Sequence, residues 1–256
     1  MILKNNILIF YKIKFYNHSC LKILSKLKKD RGYLVAPAAS ALTDILKNKI
    51  YYNALVKSTV AIFDSGLFCI FLRIFKKISV KKLSGYYFIK FFINLDSEKK
   101  NKILTIDPSL IDARLNKNLL NSRKFKYVKN YIAPIYNIEK ISDTRLIKLI
   151  KSYKPKYIII NIGGGIQEPL ALYIKQYAPN VIQFCTGAAI AFFTGRQARI
   201  NDLIDRLYLG WLWRIGHNPR VFFIRIIKSL QLIIFFLKNS TSQKKNKKKK
   251  TLKNLY

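Results

Sequence analysis

The pattern of hydrophobic residues divides the middle of the chain into short apolar runs and amphipathic segments. Residues 157–162 form a continuous apolar run, which is typical of a strand buried on both faces of a sheet. Further runs predicted as strands lie at 33–36, 60–63, 102–106 and 181–185. Helical composition or spacing predicts helices at 38–48, 143–152 and 168–176. This alternation predicts an α/β fold with a Rossmann-like parallel sheet and helices on both faces.

The ends of the chain differ in composition from this α/β domain, which we place at 31–200. Residues 1–30 are basic and are interpreted as a leader. Residues 201–238 mix arginines with large apolar side chains and predict a basic helical appendage that faces a membrane or an acceptor. Residues 239–256 are rich in lysine and predict a disordered tail. Residues 67–95 are apolar and aromatic, and their pattern distinguishes neither helix nor strand.

The charge balance favours polyanionic partners but does not name one. There are 48 Lys and Arg against 12 Asp and Glu, a net charge of +36, which favours nucleic acid, anionic lipid or phosphorylated substrates. Lys, Ile, Asn, Phe and Tyr are all abundant, as AT-rich codons also produce. Signatures of RNA-recognition, zinc-finger and helix-turn-helix domains are missing, so we expect no specific nucleic acid. No apolar run reaches the roughly 18 residues of a spanning helix.

A glycine-rich segment after the strand at 157–162 is the first candidate site. Gly163, Gly164 and Gly165 precede Gln167 and Glu168, which open the next predicted helix. Glycines let a backbone approach a ligand closely, and a helix N-terminus presents unpaired N–H groups suited to a diphosphate. A tight structural turn explains the glycines equally well, and Glu168 would then only complement the helix dipole.

Asp64 and Gly187 follow two other predicted strands. A carboxylate at a strand end would face the ligand crevice of a parallel sheet, where it could take a proton from an attacking hydroxyl. The competing interpretation is a turn aspartate that bonds its own backbone. Small residues from Gly187 onward would admit a ligand or merely allow close helix packing.

The C-terminal arginines are the last candidates. Arg214, Arg220 and Arg225 lie among apolar residues, and the planar guanidinium group binds phosphates well. A solvated basic helix face is the alternative. The chain has no DxD pair, no cluster of histidines and no metal-ligand spacing among Cys20, Cys69 and Cys185. We therefore predict no metal and no cofactor, and we expect Cys69 and Cys185 to be buried in a protein from a reducing compartment.

Together these segments resemble the WecG/TagA/CpsF glycosyltransferases. Residues 160–168 resemble the family block that ends in GxPKQE, and residues 185–195 resemble GxGAxFDFxxG. Residues 210–220 resemble EWx[YW]R followed by EPxR. The first half matches more weakly, where VAPA, FDSG and KLSG stand for the family's VTPN, PDG and RxxG. The resemblance covers roughly residues 33–230.

The resemblance implies a function in cell-surface polysaccharide synthesis. Family members transfer a sugar, typically N-acetylmannosamine from a UDP-sugar, to a polyprenyl-diphosphate-linked acceptor, with inversion and without a metal. Asp64 would then be the general base, Gly163 to Glu168 and Gly187 would line the donor pocket, and Arg214, Arg220 and Arg225 would meet the acceptor and an anionic membrane surface. The expected location is peripheral, on the cytoplasmic face of a bacterial membrane or in a plastid stroma. A homo-oligomer is compatible with the sequence.

Several positions depart from the family pattern. Ala36 and Ala38 replace the Thr and Asn of TPN, Gly165 and Ile166 replace Pro and Lys, and Ala191 replaces the Asp of FDF. Gly210 also stands where the family has Glu. A changed sugar specificity explains these losses, and so does a catalytically decayed, membrane-peripheral homologue that binds lipid phosphate or a partner.

Overall fold

A computed structural model describes residues 3–197 and 219–237. Within these residues, nine strands form one sheet with the order β1-β2-β3-β5-β4-β9-β8-β6-β7. The strands β1 to β3 pair antiparallel, and every other pairing is parallel. The strands are β1 (Leu3–Lys4), β2 (Ile7–Phe10), β3 (Ile13–Tyr16), β4 (Gly32–Val35), β5 (Val60–Ala61), β6 (Lys102–Asp107), β7 (Tyr127–Ile132), β8 (Tyr157–Ile160) and β9 (Ile182–Cys185).

Helices cover both faces of the sheet. Side chains of α3, α4, α7 and α8 share one hydrophobic cluster, and those of α1, α5 and α6 belong to a second. The helices are α1 (Cys20–Asp30), α2 (Ala39–Leu42), α3 (Lys49–Val56), α4 (Gly66–Lys76), α5 (Gly85–Ile93), α6 (Leu110–Ser122), α7 (Thr144–Tyr153), α8 (Gln167–Tyr177) and α9 (Pro219–Leu230). Short 3₁₀ helices lie at Thr43–Leu46, Asp96–Glu98 and Gly187–Phe192. The predicted α/β fold is confirmed.

The N-terminal segment differs from the leader predicted over residues 1–30. Its described part forms β1 to β3 and α1, and Phe10, Ile13 and Phe15 are fully buried in the core. Lys14 is exposed between two buried neighbours, which is the alternation of a strand with one solvated face. The lysines that break the apolar run therefore belong to the strand pattern.

The undefined segment at 67–95 contains two helices. Ser65 accepts a hydrogen bond from the backbone N–H of Phe68 at 3.3 Å and caps α4. Ser84 accepts from the N–H of Tyr87 at 3.2 Å and caps α5. Serine caps satisfy backbone donors that a helix leaves unpaired at its start. Each helix therefore begins directly after its serine cap.

The parallel register brings four strand ends to one edge of the sheet. Val35 pairs with Ala61 and with Cys185, and Cys185 pairs with Ile160. The loops that follow β5, β4, β9 and β8 consequently leave the sheet side by side. Ligands of open α/β sheets bind outside this carboxyl edge.

The C-terminal appendage is described as α9, continued by a short helix over residues 232–237. It lies against α2, and the Phe236 ring packs 5.7 Å from that of Phe10 between centroids. Phe223, Ile224 and Ile227 are exposed on α9. Residues 198–218 and the predicted tail at 239–256 lie outside the described residues. Within the described ranges, no helix has both the length and the apolar character needed to cross a bilayer.

Candidate active site at the carboxyl edge of the sheet

Asp64 stands between β5 and α4 and is half-buried. Its Oδ1 accepts a hydrogen bond from the backbone N–H of Gly85 at 2.8 Å. Gly85 is the first residue of α5, so the carboxylate lies at a helix N-terminus that favours its negative charge. The carboxylate thus binds a residue that is 21 positions away along the chain.

Gly85 brings Asp64 next to the end of β9. A Cβ atom placed on Gly85 would lie only 3.1 Å from Thr186 Cβ and 3.2 Å from the Thr186 carbonyl oxygen. Because this gap admits only a glycine comfortably, α5 can approach the strand end closely. The Thr186 hydroxyl is buried and has no hydrogen-bond partner among the described residues. It is a polar atom at the candidate site that the sequence did not single out.

Gln167 connects the loops after β9 and β8. Its Oε1 accepts from the N–H of Gly187 at 2.9 Å, and its Nε2 donates to Glu168 Oε1 at 3.0 Å. Glu168 Oε2 in turn accepts from the N–H of Gly165 at 2.8 Å. Gly165 has a φ of +91°, a conformation that favours glycine. The two glycine-bearing loops are therefore held together by one buried amide–carboxyl pair.

Burial gives Glu168 an unusual pKa. Its side chain is only 1% exposed, and loss of hydration raises its pKa to about 7. Hydrogen bonds from backbone N–H groups and from Gln167 act in the opposite direction and stabilise the charged form. The carboxyl group therefore changes its protonation close to neutral pH.

Continuous contacts join half of the predicted site residues. They run from Asp64 through Gly85 and Thr186 to Gly187, and then through Gln167 to Glu168 and Gly165. Gly163 and Gly164 belong to the same loop after β8. The arrangement places a carboxylate and two glycine-bearing strand ends on one edge of the sheet.

The predicted C-terminal arginines are described only in part. Arg214 lies outside the described residues, and Arg220 lies in α9 without a described side chain. Arg225 is exposed on α9. The role of these arginines stays a prediction.

A buried polar network next to the glycine loop was missed from the sequence. Asp107, at the end of β6, is fully buried. Its Oδ1 accepts from Asn116 and from Asn161, each at 2.7 Å, and its Oδ2 accepts from Thr105 at 2.5 Å. Asn161 Oδ1 has no partner among the described residues. Asp107 follows an apolar run, as Asp64 does. This position at a predicted strand end is the sequence feature that could have identified Asp107 as a candidate site residue.

A small cleft borders the other side of the glycine loop. Its volume is about 280 Å³, and Gly164 and Gly165 form one wall. The opposite wall comes from residues 41–51, including Asp44, Lys47 and Tyr51. Lys228 of α9 donates to Asp44 Oδ2 at 2.6 Å, so the appendage lies beside the cleft.

The cysteines and the other acidic residues do not add a metal centre in the described part of the chain. Cys20, Cys69 and Cys185 are buried and free, and burial raises the pKa of Cys69 to about 12. Across residues 3–197 and 219–237, no three His, Cys, Asp or Glu side chains gather where they could hold a metal ion.

Comparison with known proteins identifies the family. The profile of the glycosyl transferase WecG/TagA/CpsF family matches residues 10–249. The chain belongs to this family of glycosyltransferases. The match begins at Phe10, the last residue of β2, so it includes β3 and α1, which the sequence pattern had placed in a leader.

Individual relatives match over a shorter stretch. The chain is similar to N-acetylglucosaminyldiphosphoundecaprenol N-acetyl-beta-D-mannosaminyltransferases from Staphylococcus aureus strains MW2, NCTC 8325 / PS 47 and COL. Identity is 24% over 110 residues, which cover 43% of this chain and 42% of each relative. The matched stretch is thus less than half of the relatives' own length.

Proposed function

We propose that this chain transfers a sugar from a UDP-sugar to a polyprenyl-diphosphate-linked acceptor, with inversion at the anomeric carbon. The donor sugar is N-acetylmannosamine or a related hexose. Family membership supports glycosyl transfer, and the names of the staphylococcal relatives support the acceptor class. The observation that carries the proposal is the continuous set of contacts from Asp64 to Gln167 and Glu168 at the carboxyl edge.

In this mechanism Asp64 is the general base. Its carboxylate takes the proton from the acceptor hydroxyl while that oxygen attacks the anomeric carbon from the side opposite UDP. The C–O bond to UDP breaks as the new glycosidic bond forms, so one displacement inverts the configuration. The N–H of Gly85 orients the carboxylate and favours its charged form.

The donor diphosphate lies against the loops after β8 and β9. Backbone N–H groups around Gly163 and Gly164 stabilise the negative charge of the leaving UDP. Gln167 and Glu168 hold these loops in register. The proposal requires no metal and no other cofactor, because these groups and the basic side chains supply the positive field.

The acceptor and the membrane are placed on the C-terminal side. Arg214, Arg220 and Arg225 bind the acceptor diphosphate, and the exposed apolar face of α9 enters the interface of an anionic membrane. The lysine-rich tail adds attraction to anionic lipids. The protein then acts as a peripheral enzyme on the cytoplasmic face, with or without self-association.

The test of the catalytic role is Asp64→Asn. Loss of a general base costs about 10²- to 10⁴-fold in rate, so transfer should fall by at least about a hundredfold. UDP binding should stay within twofold of the unmodified protein, because Asp64 does not contact the nucleotide in this mechanism. Asp30→Asn, at an exposed ion pair with Lys26, is the control and should transfer normally. Full activity of Asp64→Asn would remove Asp64 from the mechanism.

A second candidate function is a decayed homologue that only binds lipid phosphate or a partner. The observation that favours it is the loss of polar side chains at Ala36, Ala38 and Ala191, where the family pattern has Thr, Asn and Asp. In the same assays, the unmodified protein would then bind polyprenyl diphosphate but release no UDP from any UDP-sugar. Transfer by the unmodified protein refutes this candidate.

A further inference from the structure

The cleft beside the glycine loop contains an unusual tyrosine. Tyr51 is 2% exposed, and its hydroxyl has no hydrogen-bond partner among the described residues. A buried hydroxyl without a hydrogen-bond partner destabilises a folded protein. Such a group therefore points to a ligand that would supply the partner. Burial raises the pKa of Tyr51 well above its ordinary value, and the charges of Glu168 and Asp44 raise it further. The hydroxyl is therefore neutral and lies in the electrostatic field of both carboxyl groups.

The other groups around Tyr51 offer both donors and acceptors. Asp44 supplies carboxylate oxygens, Lys47 supplies an ammonium group, and Asn48 lines the cleft next to them. Gly164 and Gly165 contribute backbone without side chains, and the space around a Cβ on Gly165 is open. A wall that combines donors and acceptors matches the hydroxyl and amide groups of a sugar.

The volume of the cleft limits the size of its ligand. At about 280 Å³, the cleft is at the lower end of small-molecule sites, which run from about 300 to 1,000 Å³. It holds one ring but not a whole nucleotide-sugar. Asp44 is paired with Lys228, and Lys47 adds a second cation to the wall, so the cleft presents both signs of charge.

We propose that this cleft binds one pyranose ring of a sugar substrate, and that the Tyr51 hydroxyl is a specificity-determining hydrogen-bonding group for that ring. The inference rests on the proposed function, because it assigns a place to a sugar of that reaction. The ring belongs either to the donor or to the acceptor, which offer the same chemistry. Glu168 bonds the N–H of Gly165 in the cleft wall, and Gln167 bonds both Glu168 and the N–H of Gly187, so this pair would carry the effect of occupancy to Gly187.

The decisive variant is Tyr51→Phe, which removes one oxygen and keeps the ring. Without ligand, its thermal midpoint should equal or exceed that of the unmodified protein, because the lost hydroxyl had no partner. With ligand, we expect about tenfold weaker binding of one sugar substrate, the effect of one hydrogen bond. Tyr52→Phe is the matched control, since Tyr52 is the next residue of α3 and does not line the cleft.

The probes are UDP, UDP-N-acetylmannosamine and a short-chain lipid diphosphate of N-acetylglucosamine. Weaker binding of the UDP-sugar with unchanged UDP binding places the donor ring in the cleft. Weaker binding of the lipid-linked sugar alone places the acceptor ring there. Unchanged binding of both, equally weakened UDP binding, or a lower thermal midpoint without ligand each overturns the proposal.

A second pair of variants tests the cleft without changing Tyr51, so that a local disturbance of the tyrosine ring cannot explain the result. Lys47→Met changes an exposed residue of the cleft wall, whereas Lys49→Met changes an exposed residue outside it. Lys47→Met should weaken the same probe as Tyr51→Phe, and Lys49→Met should not. An effect of both lysine variants, or of neither, contradicts the assignment.

Failure of the proposed function gives a different result. The unmodified protein would then bind neither the UDP-sugar nor the lipid-linked sugar. Titration with free N-acetylglucosamine and N-acetylmannosamine still tests the cleft in that case. Binding that Tyr51→Phe abolishes supports the sugar cleft without glycosyl transfer, and the lack of any binding refutes both.

Discussion

Gln167 should control both the stability of the site and its chemistry. The side chain is 2% exposed and bonds the Gly187 N–H at 2.9 Å and the Glu168 carboxyl at 3.0 Å. Gln167→Leu keeps a similar volume but removes both hydrogen bonds. A neutral hydrogen bond contributes about 1 kcal/mol, and one to a charged group about 1.5–3 kcal/mol. We therefore expect the free energy of unfolding to fall by about 2–4 kcal/mol.

The same change should impair donor binding. Without Gln167, the Gly187 N–H loses its acceptor and the loops after β8 and β9 lose their direct side-chain connection. Misplacement of catalytic groups by about 1 Å costs on the order of 10²-fold in rate. The transfer rate of Gln167→Leu should therefore fall far more than its stability alone would explain.

Urea unfolding monitored by circular dichroism measures the stability, and release of UDP measures the transfer. Gln183→Leu is the matched control, because Gln183 is also fully buried but donates one bond, to the Ala171 carbonyl at 3.1 Å. Gln183 Oε1 has no hydrogen-bond partner among the described residues. Removing this unpaired buried oxygen offsets part of the stability that is lost with the bond to Ala171. Equal unfolding midpoints for Gln167→Leu and the unmodified protein would refute the bridging role. Equal losses of stability and of transfer rate in Gln167→Leu and Gln183→Leu would show that burial of the side chain matters, and not the connection between the loops after β8 and β9.

Two further predictions concern pH and the membrane. Because the pKa of Glu168 is raised from 4.5 to about 7, the folded state binds the extra proton, and stability falls as pH rises from about 4.5 to 7. Over this pH range, the urea midpoint of Glu168→Gln should decline less than that of the unmodified protein, because the variant has no carboxyl group to titrate at this position. The same pH dependence in both proteins would contradict the raised pKa. Ile224→Ser with Ile227→Ser should reduce sedimentation with anionic vesicles at least about fivefold. The control is Leu110→Ser with Ile111→Ser on α6, also exposed, and equal loss in both would place the membrane contact elsewhere.

The central sheet and the glycine loops were predictable from the sequence. Residues 157–160 are apolar throughout, residues 182–185 are apolar apart from Gln183, and only a strand inside a parallel sheet buries both of its faces. Glycines and a carboxylate directly after such runs must lie at the carboxyl edge, because every parallel strand ends there. The predicted positions of Asp64, Gly163 and Gly187 relative to the sheet follow from this local rule.

The N-terminal strands and the helices at 66–76 and 85–93 were not predictable in the same way. Lysines interrupt the apolar pattern at Lys12 and Lys14, and a solvated strand face and a basic leader produce the same composition. The apolar and aromatic residues around Phe68 and Phe88 are compatible with the pattern of a helix and with that of a strand. Packing against the sheet decided between helix and strand. Phe68 is buried in the hydrophobic cluster on one face of the sheet, and Phe88 is buried in the cluster on the other face.

The sequence determined which residues stand at strand ends, and the tertiary structure decided which of them meet. The strand order β5-β4-β9-β8 puts residues 60–61 and 182–185 on either side of β4, although more than a hundred positions separate them along the chain. The contact of Gly85 with Thr186 and the cleft at Tyr51 both depend on this order. Hydrophobic periodicity reports whether a segment is buried, whereas the neighbour it is buried against depends on the packing of the whole chain.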